Sequence, residues 1–252
     1  MTEQEALAAY CIRIGDNGLV LGHRLSEWCG HGPVLEEDIA LSNMALDLIG
    51  QARGFLGYAA KLKGNGTEDD LAYKRDARQF CNCMLVEQPN GDFAATMVRS
   101  FLFSAFAYLH FRTLIKSKDD TVAGLAEKSL KEVTYHLRHS SDWIIRLGDG
   151  TDESRERTQA ALENLWSYTN ELFEMDEVNE LLIKQNLAFD VSLVRAEWDT
   201  IINQVLNEAT LIRPSESRYM SKGGINGIHT EHLGFLLAEM QFLPRAYPGT
   251  EW

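Results

Sequence analysis

The sequence predicts an all-α protein, an antiparallel four-helix bundle with additional C-terminal helices. Apolar residues recur at helical spacing along almost all of the 252 residues, and the alternation typical of half-buried strands is nearly absent. Only five prolines occur, at positions 33, 89, 214, 244 and 248, and each is predicted to lie where a helix begins or ends. Short polar breaks separate the long periodic segments, as in antiparallel bundles.

The first two predicted helices form the first antiparallel pair. One is predicted over 3–28 and ends at CGHGP, and the other is predicted over 35–63 and ends at KGNG. Helical spacing assigns inward positions to the apolar residues of each helix. In the first helix these are Leu7, Cys11, Ile14, Leu21, Leu25 and Trp28, and in the second they are Ile39, Leu48, Ala52, Phe55 and Ala59.

The remaining predicted helices follow a longer connection, which would carry a crossover. EQPNGD at 87–92 precedes a third helix over 93–116, and Asp119 or Asp120 is the predicted N-cap of a fourth over 122–147. Further helices are predicted over 153–173, 191–211 and 229–243, with an irregular stretch at 212–228. We therefore predict a single domain over 1–252, with a core bundle at about 3–148 and added helices at about 152–245.

Charge and composition exclude several classes of protein. Lys and Arg number 24 and Asp and Glu number 37, so the formal net charge is −13, which disfavours nucleic-acid binding and adhesion to anionic membranes. The four cysteines include no Cys-x-x-Cys pair and indicate reduced thiols. The N-terminal MTEQEALAAY does not have the pattern of a signal peptide, and FLFSAFAYLHFRTL at 101–114 is too short to span a bilayer. We expect a cytoplasmic protein.

A four-helix bundle can hold two iron ions, and the sequence permits a complete test for the usual ligands. Such a site takes a Glu from each of two helices and a Glu-x-x-His from each of the other two. The residues three positions before the seven histidines are Val20, Trp28, Ala107, Val133, His136, Asn226 and His229. None is acidic, so the signature is absent from the chain. The third helix also contains no Asp or Glu between positions 93 and 113.

Looser pairs of ligand types remain as alternatives. Glu27 and His31 are four residues apart, as are Glu132 and His136, and such pairs can share a metal on a helix. The glycines around His31 indicate that the helix ends there, which disfavours the first pair. For the second pair we favour a buried, hydrogen-bonded arrangement.

A second histidine cluster lies in HTEHLG at 229–234. His229 and His232 would share one helical face, which suggests zinc, but no third ligand is evident nearby. We therefore expect structural or interface residues here. The glycine-rich SKGGING at 221–227 lacks Gly-Lys-Ser/Thr and follows no strand, so it is not predicted to bind phosphate.

Eight motifs together resemble one known family. They are GDN (15–17), EWCGH (27–31), DLIGQAR (47–53), VEQPNG (86–91), KEVTYHLRHS (131–140), RLGDGTD (146–152), NEAT (207–210) and HTEHLGFLLAEMQ (229–241). In this order they resemble the C-subunit family of the bacterial phenylacetyl-CoA 1,2-epoxidase complex, over essentially the whole chain. The resemblance implies a ferritin-like fold and a structural, non-catalytic subunit in phenylacetate catabolism.

The resemblance also implies partners and cofactors outside this chain. A homologous A subunit would carry the di-iron centre, and the complex would epoxidise the ring of phenylacetyl-CoA with O₂ and NADPH. Electrons would pass through a reductase subunit with FAD and an iron–sulfur cluster. This chain itself would hold no metal or cofactor. A homo-oligomer is a further expectation.

Matching the motifs to the active relatives identifies the remnants of a metal site. Glu132 keeps the acidic position of the fourth helix, Tyr135 takes the histidine position, and His136 lies one residue out of phase. On the second helix Asp47 is the acidic counterpart, and Gly50 stands where the other histidine would be.

Two rival functions stay open from the sequence alone. One is a self-sufficient metal oxidase that uses Glu27, Asp47, Glu132 and His136. The other is an acyl-CoA binding module, which needs a local basic patch despite the negative net charge. The available basic residues are Lys61, Lys63, Lys74, Arg75 and Arg78.

Overall fold

A computed structural model describes residues 1–215 and 219–250, and in these ranges the protein consists of helices and loops without strands. The all-α prediction is confirmed. In chain order the α-helices of the described ranges are α1 (Glu3–Ser26), α2 (Leu35–Lys63), α3 (Glu68–Tyr73), α4 (Met84–Glu87), α5 (Phe93–Leu114), α6 (Asp120–Gly148), α7 (Asp152–Leu165), α8 (Glu177–Gln185), α9 (Arg195–Glu208), α10 (Glu231–Met240) and α11 (Phe242–Ala246). Short 3₁₀ turns cover Ala77–Gln79, Trp166–Tyr168, Asn170–Phe173, Val191–Val194 and Gly224–Asn226.

The chain forms two compact units. The first unit comprises Met1–Pro89, Glu177–Leu187 and Gly223–Trp252, and the second comprises Asn90–Asp176 and Ala188–Lys222. The long helices α1 and α2 belong to the first unit, and α5 and α6 belong to the second. The single-domain prediction stays a prediction.

Side-chain caps set the beginnings of most long helices. Thr2 accepts a hydrogen bond from the Glu5 backbone N–H, and the Glu5 side chain accepts one from the Thr2 backbone N–H, which forms a capping box. Asp92 caps α5 through the Ala95 N–H at 2.9 Å, and Asp119 caps α6 through the Val122 N–H at 2.8 Å. Of the two predicted cap residues, the structure therefore selects Asp119.

In the first unit, α1 packs against α2 through three glycines. A Cβ atom added at Gly15 would lie 2.7 Å from Leu56 Cγ, and one at Gly18 would lie 2.9 Å from the Leu48 carbonyl oxygen. A Cβ at Gly22 would lie 2.9 Å from Ile49 Cγ1. These positions follow one face of α1, so the two backbones approach more closely than larger side chains would allow.

The second unit is built around α5, which is buried on nearly all sides. Trp198 of α9 is fully buried, and its Nε1–H donates to the Leu102 carbonyl oxygen of α5 at 3.1 Å. The rings of Phe106 and Phe173 meet edge to face at 5.6 Å, and Trp166 lies 5.8 Å from Trp198. Large aromatic side chains therefore fill the space between helices here.

Several predicted details of the helices are wrong. Ile39 was expected to face inward but is 52% exposed, and Trp28 lies beyond the end of α1 and is only half-buried. The predicted helix over 153–173 ends at Leu165 and continues as two 3₁₀ turns, and α8 was not predicted. None of the described helices is long and apolar enough to cross a membrane.

Candidate functional site

The two remnant positions of the first unit lie on α2. Asp47 is half-buried. Gly50 is half-exposed, and a Cβ atom placed there would meet no described atom within 4 Å. There is therefore open space at Gly50, the position that the motif matching predicts to have lost a histidine.

The remnant positions of the second unit lie on α6. Glu132 is largely buried and lies 3.8 Å from the Nζ of Lys128, one turn earlier on the helix. Tyr135 is 39% exposed, and the Arg138 guanidinium lies over its ring at 5.6 Å. His136 is fully buried. Tyr135, at the predicted histidine position, is therefore partly exposed to solvent, whereas the neighbouring His136 points into the protein.

The helix α5 buries a cation and carries no carboxylate between Phe93 and Thr113. Arg99 is fully buried on α5, and its Nη2 donates to Asn90 Oδ1 at 2.5 Å. The other buried polar side chains of this helix are uncharged or weakly basic, and they are Thr96, Ser100, Ser104 and His110. A buried guanidinium adds positive charge, which opposes the binding of further cations in the same low-dielectric interior.

The Glu27–His31 pair does not sit on a helix. The helix α1 ends at Ser26, so the four-residue spacing no longer places the two side chains on one face. Glu27 pairs instead with the Arg24 guanidinium at 2.8 Å, and His31 Nδ1 lies 3.2 Å from the Cys29 carbonyl oxygen. Both Glu27 and His31 belong to an exposed turn.

The predicted helical pairing of His229 with His232 is also wrong, because α10 begins only at Glu231. His229 Nδ1 lies 2.8 Å from Glu87 Oε2, and its Nε2 lies 2.9 Å from the Phe80 carbonyl oxygen. Both contacts are to oxygen atoms, so both are hydrogen bonds when each ring nitrogen carries a proton. The ring therefore forms a buried pair with Glu87, and both of its nitrogens contact oxygen atoms of the first unit.

Glu87 is the centre of a buried polar cluster. Besides His229, its side chain accepts hydrogen bonds from Asn82 Nδ2 at 2.9 Å and from the Thr230 backbone N–H at 2.6 Å. Arg24 donates from Nε and Nη2 to the Glu87 carbonyl oxygen at 3.1 and 3.0 Å, and from Nη2 to the His232 carbonyl oxygen at 3.0 Å. The cluster fixes the start of α10 to α1 and α4.

A second buried ion pair joins Asp16 of the GDN motif to Arg75. Asp16 is fully buried and accepts from both terminal nitrogens of Arg75 and from the Cys81 N–H at 2.8 Å. Burial raises the pKa of Asp16, and the Arg75 guanidinium acts in the opposite direction. The guanidinium also lies over the Phe80 ring at 4.2 Å. Arg75 is therefore not available to a phosphate.

Lys74, another residue of the basic patch that acyl-CoA binding would need, is also paired with an acidic side chain. Its Nζ pairs with Asp70, one turn earlier. Lys61, Lys63 and Arg78 are exposed.

A metal site needs a cluster of side chains of metal-ligand type. Among residues 1–215 and 219–250, no three His, Cys, Asp or Glu side chains of either unit come together as metal ligands would. The prediction that this chain holds no metal stays a prediction.

Comparison with known proteins assigns the family. The whole chain, residues 1–252, matches the family described as phenylacetic acid catabolic protein. The chain belongs to this family. A curated relative, the C-subunit of the 1,2-phenylacetyl-CoA epoxidase of Escherichia coli (strain K12), is 51% identical over 246 residues, which are 98% of this chain and 99% of the relative. The resemblance found in the motifs is confirmed, and so is the fold class, the family's ferritin-like helical bundle.

The sequence did not predict the two buried pairs, although motifs that carry the family resemblance contain three of their four residues. Asp16 lies in GDN, Glu87 in VEQPNG and His229 in HTEHLG. Asp16 and Arg75 are 59 residues apart in the sequence, and Glu87 and His229 are 142 residues apart. The one local signal is an acidic residue within an otherwise apolar helical segment, MLVE at 84–87.

Proposed function

We propose that this chain is a non-catalytic subunit of a cytoplasmic phenylacetyl-CoA 1,2-epoxidase complex. It binds and supports the subunit that carries the di-iron centre, and it holds no metal itself. The observation that carries the proposal is the 51% identity to the C-subunit of an epoxidase across 98% of the chain. Identity at this level over full length indicates the same place in the same kind of complex.

The ligand types support the non-catalytic part of the proposal. No histidine follows an acidic residue by three positions, and α5 has no carboxylate between Phe93 and Thr113. The buried charge on α5 is the Arg99 guanidinium. A self-sufficient oxidase would need ligands from several helices, and two of its candidate residues are engaged elsewhere: Glu27 with Arg24 and Glu132 with Lys128.

Omission of the chain from a reconstituted complex tests the proposal. The di-iron subunit is purified alone and together with this chain, and phenylacetyl-CoA epoxidation is measured with the reductase and NADPH. We expect activity per di-iron subunit to fall strongly without this chain. Iron in the isolated, desalted chain should be well below one per molecule. Full activity without the chain, or stoichiometric iron in it, would contradict the proposal.

His136→Ala separates a structural from a catalytic role at the remnant site. Because His136 is buried, the change should lower the free energy of unfolding by about 1–3 kcal/mol through unsatisfied partners. Turnover per assembled complex should stay the same. A loss of about 100-fold in turnover with intact assembly would identify His136 as a ligand or proton carrier.

A further inference from the structure

Four Asn-Gly pairs occur in the sequence, at 17–18, 65–66, 90–91 and 226–227. In such a pair the backbone nitrogen of the glycine can approach the side-chain amide of the asparagine, because glycine has no Cβ to hinder it. The reacting groups are the same at all four pairs. Differences in reactivity must therefore come mainly from how the folded chain holds each pair.

The pair Asn65–Gly66 lies in the short connection between α2 and α3. Gly64 ends α2 with a φ of +71°, and Gly66 has a φ of +75°. Asn65 and Gly66 are both exposed. In the described part of the chain, neither the Asn65 side chain nor the Gly66 backbone N–H makes a hydrogen bond to protein. The atoms of this pair can therefore rotate without breaking a contact.

Ring closure at this pair needs no reagent other than base and water. The Gly66 nitrogen loses its proton to base and attacks the Cγ atom of Asn65, and ammonia leaves as the new C–N bond forms. Water then opens the cyclic imide at one of its two carbonyl carbons. The product is aspartate, or isoaspartate, in which the chain continues through the side-chain carboxyl. One water is consumed and one ammonia is released, so nothing is oxidised or reduced.

The pair Asn17–Gly18 is held inside α1. Gly18 is buried against α2, where an added Cβ would lie 2.9 Å from the Leu48 carbonyl oxygen. Asn17 Oδ1 accepts a hydrogen bond from the Cys83 backbone N–H at 2.8 Å. Ring closure here would break this contact and the hydrogen bonds of the helix interior, so it requires local unfolding of α1.

The other two pairs are held by hydrogen bonds outside the long helices. Asn90 Oδ1 accepts from Arg99 Nη2 at 2.5 Å, which fixes the side chain that would be attacked. The Gly227 backbone N–H donates to the Gly224 carbonyl oxygen at 3.0 Å, so the nitrogen that would attack Asn226 is already bonded. Each of these two pairs must lose a hydrogen bond before it can react.

We propose that Asn65 is a site of spontaneous deamidation and that it reacts first among the four Asn-Gly pairs of the folded chain. The product adds a negative charge beside Glu68, Asp69 and Asp70 in the first turn of α3. Isoaspartate also lengthens the backbone by one methylene group, two residues before Thr67, the N-cap of α3. The modification therefore changes both charge and backbone geometry where α3 begins. This inference does not depend on the proposed function.

Incubation of the purified chain at physiological temperature and mildly alkaline pH tests the proposal. Peptide mass spectrometry measures, at each pair, the fraction in which OH has replaced NH₂, and chromatography separates aspartate from isoaspartate. Asn65 should react at least about fivefold faster than Asn90 or Asn226, because each of these must first break a hydrogen bond. Asn17 should react more slowly still. All rates should rise with pH, because the attacking nitrogen must lose its proton.

The unfolded chain and one variant are the controls. In urea the four pairs lose their hydrogen bonds, so their rates should become similar. Asn65→Ser removes the reactive amide, and the acidic form that the unchanged chain accumulates on ion exchange should not appear. Reaction at Asn17, Asn90 or Asn226 that equals or exceeds the rate at Asn65 in the folded chain would overturn the proposal. The same order of rates in urea would also overturn it, because the fold would then not select the site.

Discussion

The interior of the first unit and the interior of the second unit are stabilised by different kinds of contact. In the first unit, α1 and α2 approach through glycines, and buried ion pairs fix the surrounding segments, with Asp16 on Arg75 and Glu87 on His229. In the second unit, the interior is aromatic, with Trp198 against α5 and few buried charges described. The first unit should therefore be sensitive to added atoms and lost charge partners, and the second to changes in the polarity of its apolar core.

The largest expected effect is in the first unit, at Arg75. Arg75→Met leaves the Asp16 carboxylate buried without its guanidinium, and this should lower the free energy of unfolding by about 3–5 kcal/mol. Arg53→Met is the control, because the Arg53–Glu68 pair is 3.4 Å apart and exposed, and it should cost at most about 1 kcal/mol. Urea unfolding measures both. Equal effects of the two changes would show that the buried pair contributes no more than a surface pair.

Adding one methyl group should have opposite effects in the two units. In the first, Gly18→Ala places Cβ 2.9 Å from the Leu48 carbonyl oxygen, so α1 and α2 must separate, at about 1–3 kcal/mol. In the second, Gly124→Ala on α6 meets no described atom within 4 Å and should stabilise the protein by about 0.5–1 kcal/mol. Thermal unfolding of both variants gives the sign. A stabilising Gly18→Ala would refute the close approach of α1 and α2.

The second unit should show a pH dependence that comes from His110. Phe106, Phe111 and Phe189 surround this ring at 5.4–5.5 Å, and burial lowers the pKa of His110 to about 4. The folded state then binds fewer protons than the unfolded state, whose histidine has a pKa near 6.5. The stability from this group is therefore complete above about pH 6.5 and is lost as the pH falls towards 4.

His110→Phe measures this contribution. The unchanged chain should lose roughly 1–2 kcal/mol more stability than His110→Phe between about pH 7.5 and about pH 5. His31→Gln is the control, because His31 is exposed, and it should follow the unchanged chain. Parallel pH profiles for His110→Phe and the unchanged chain would mean that His110 does not titrate in this way.

The sequence predicts the long helices well because their apolar period extends over many turns, and it predicts burial less well. The bounds of α2 agree with the prediction, whereas Ile39 was assigned inward and is half-exposed. Periodicity identifies an apolar face but does not say whether the chain's own helices cover it. The Glu27–His31 spacing failed because α1 ends at Ser26, and the pairing of Asp16 with Arg75 depends on tertiary structure that no local pattern encodes.

The smallest expected effect concerns the predicted remnant positions, Gly50 in the first unit and Tyr135 in the second. Gly50→His together with Tyr135→His restores the two Asp/Glu-x-x-His patterns, on α2 with Asp47 and on α6 with Glu132. Both sites tolerate the change, because Gly50 has open space and Tyr135 is partly exposed, so stability should change by less than about 1 kcal/mol. Iron after desalting should nevertheless stay well below one per chain, because α5 contributes no carboxylate between Phe93 and Thr113 and buries the Arg99 guanidinium instead. Metal analysis and the near-ultraviolet absorption of an oxo-bridge measure this. Two irons per chain in the double variant would mean that the two histidines alone separate this subunit from an active one, and that the cation on α5 does not prevent metal binding.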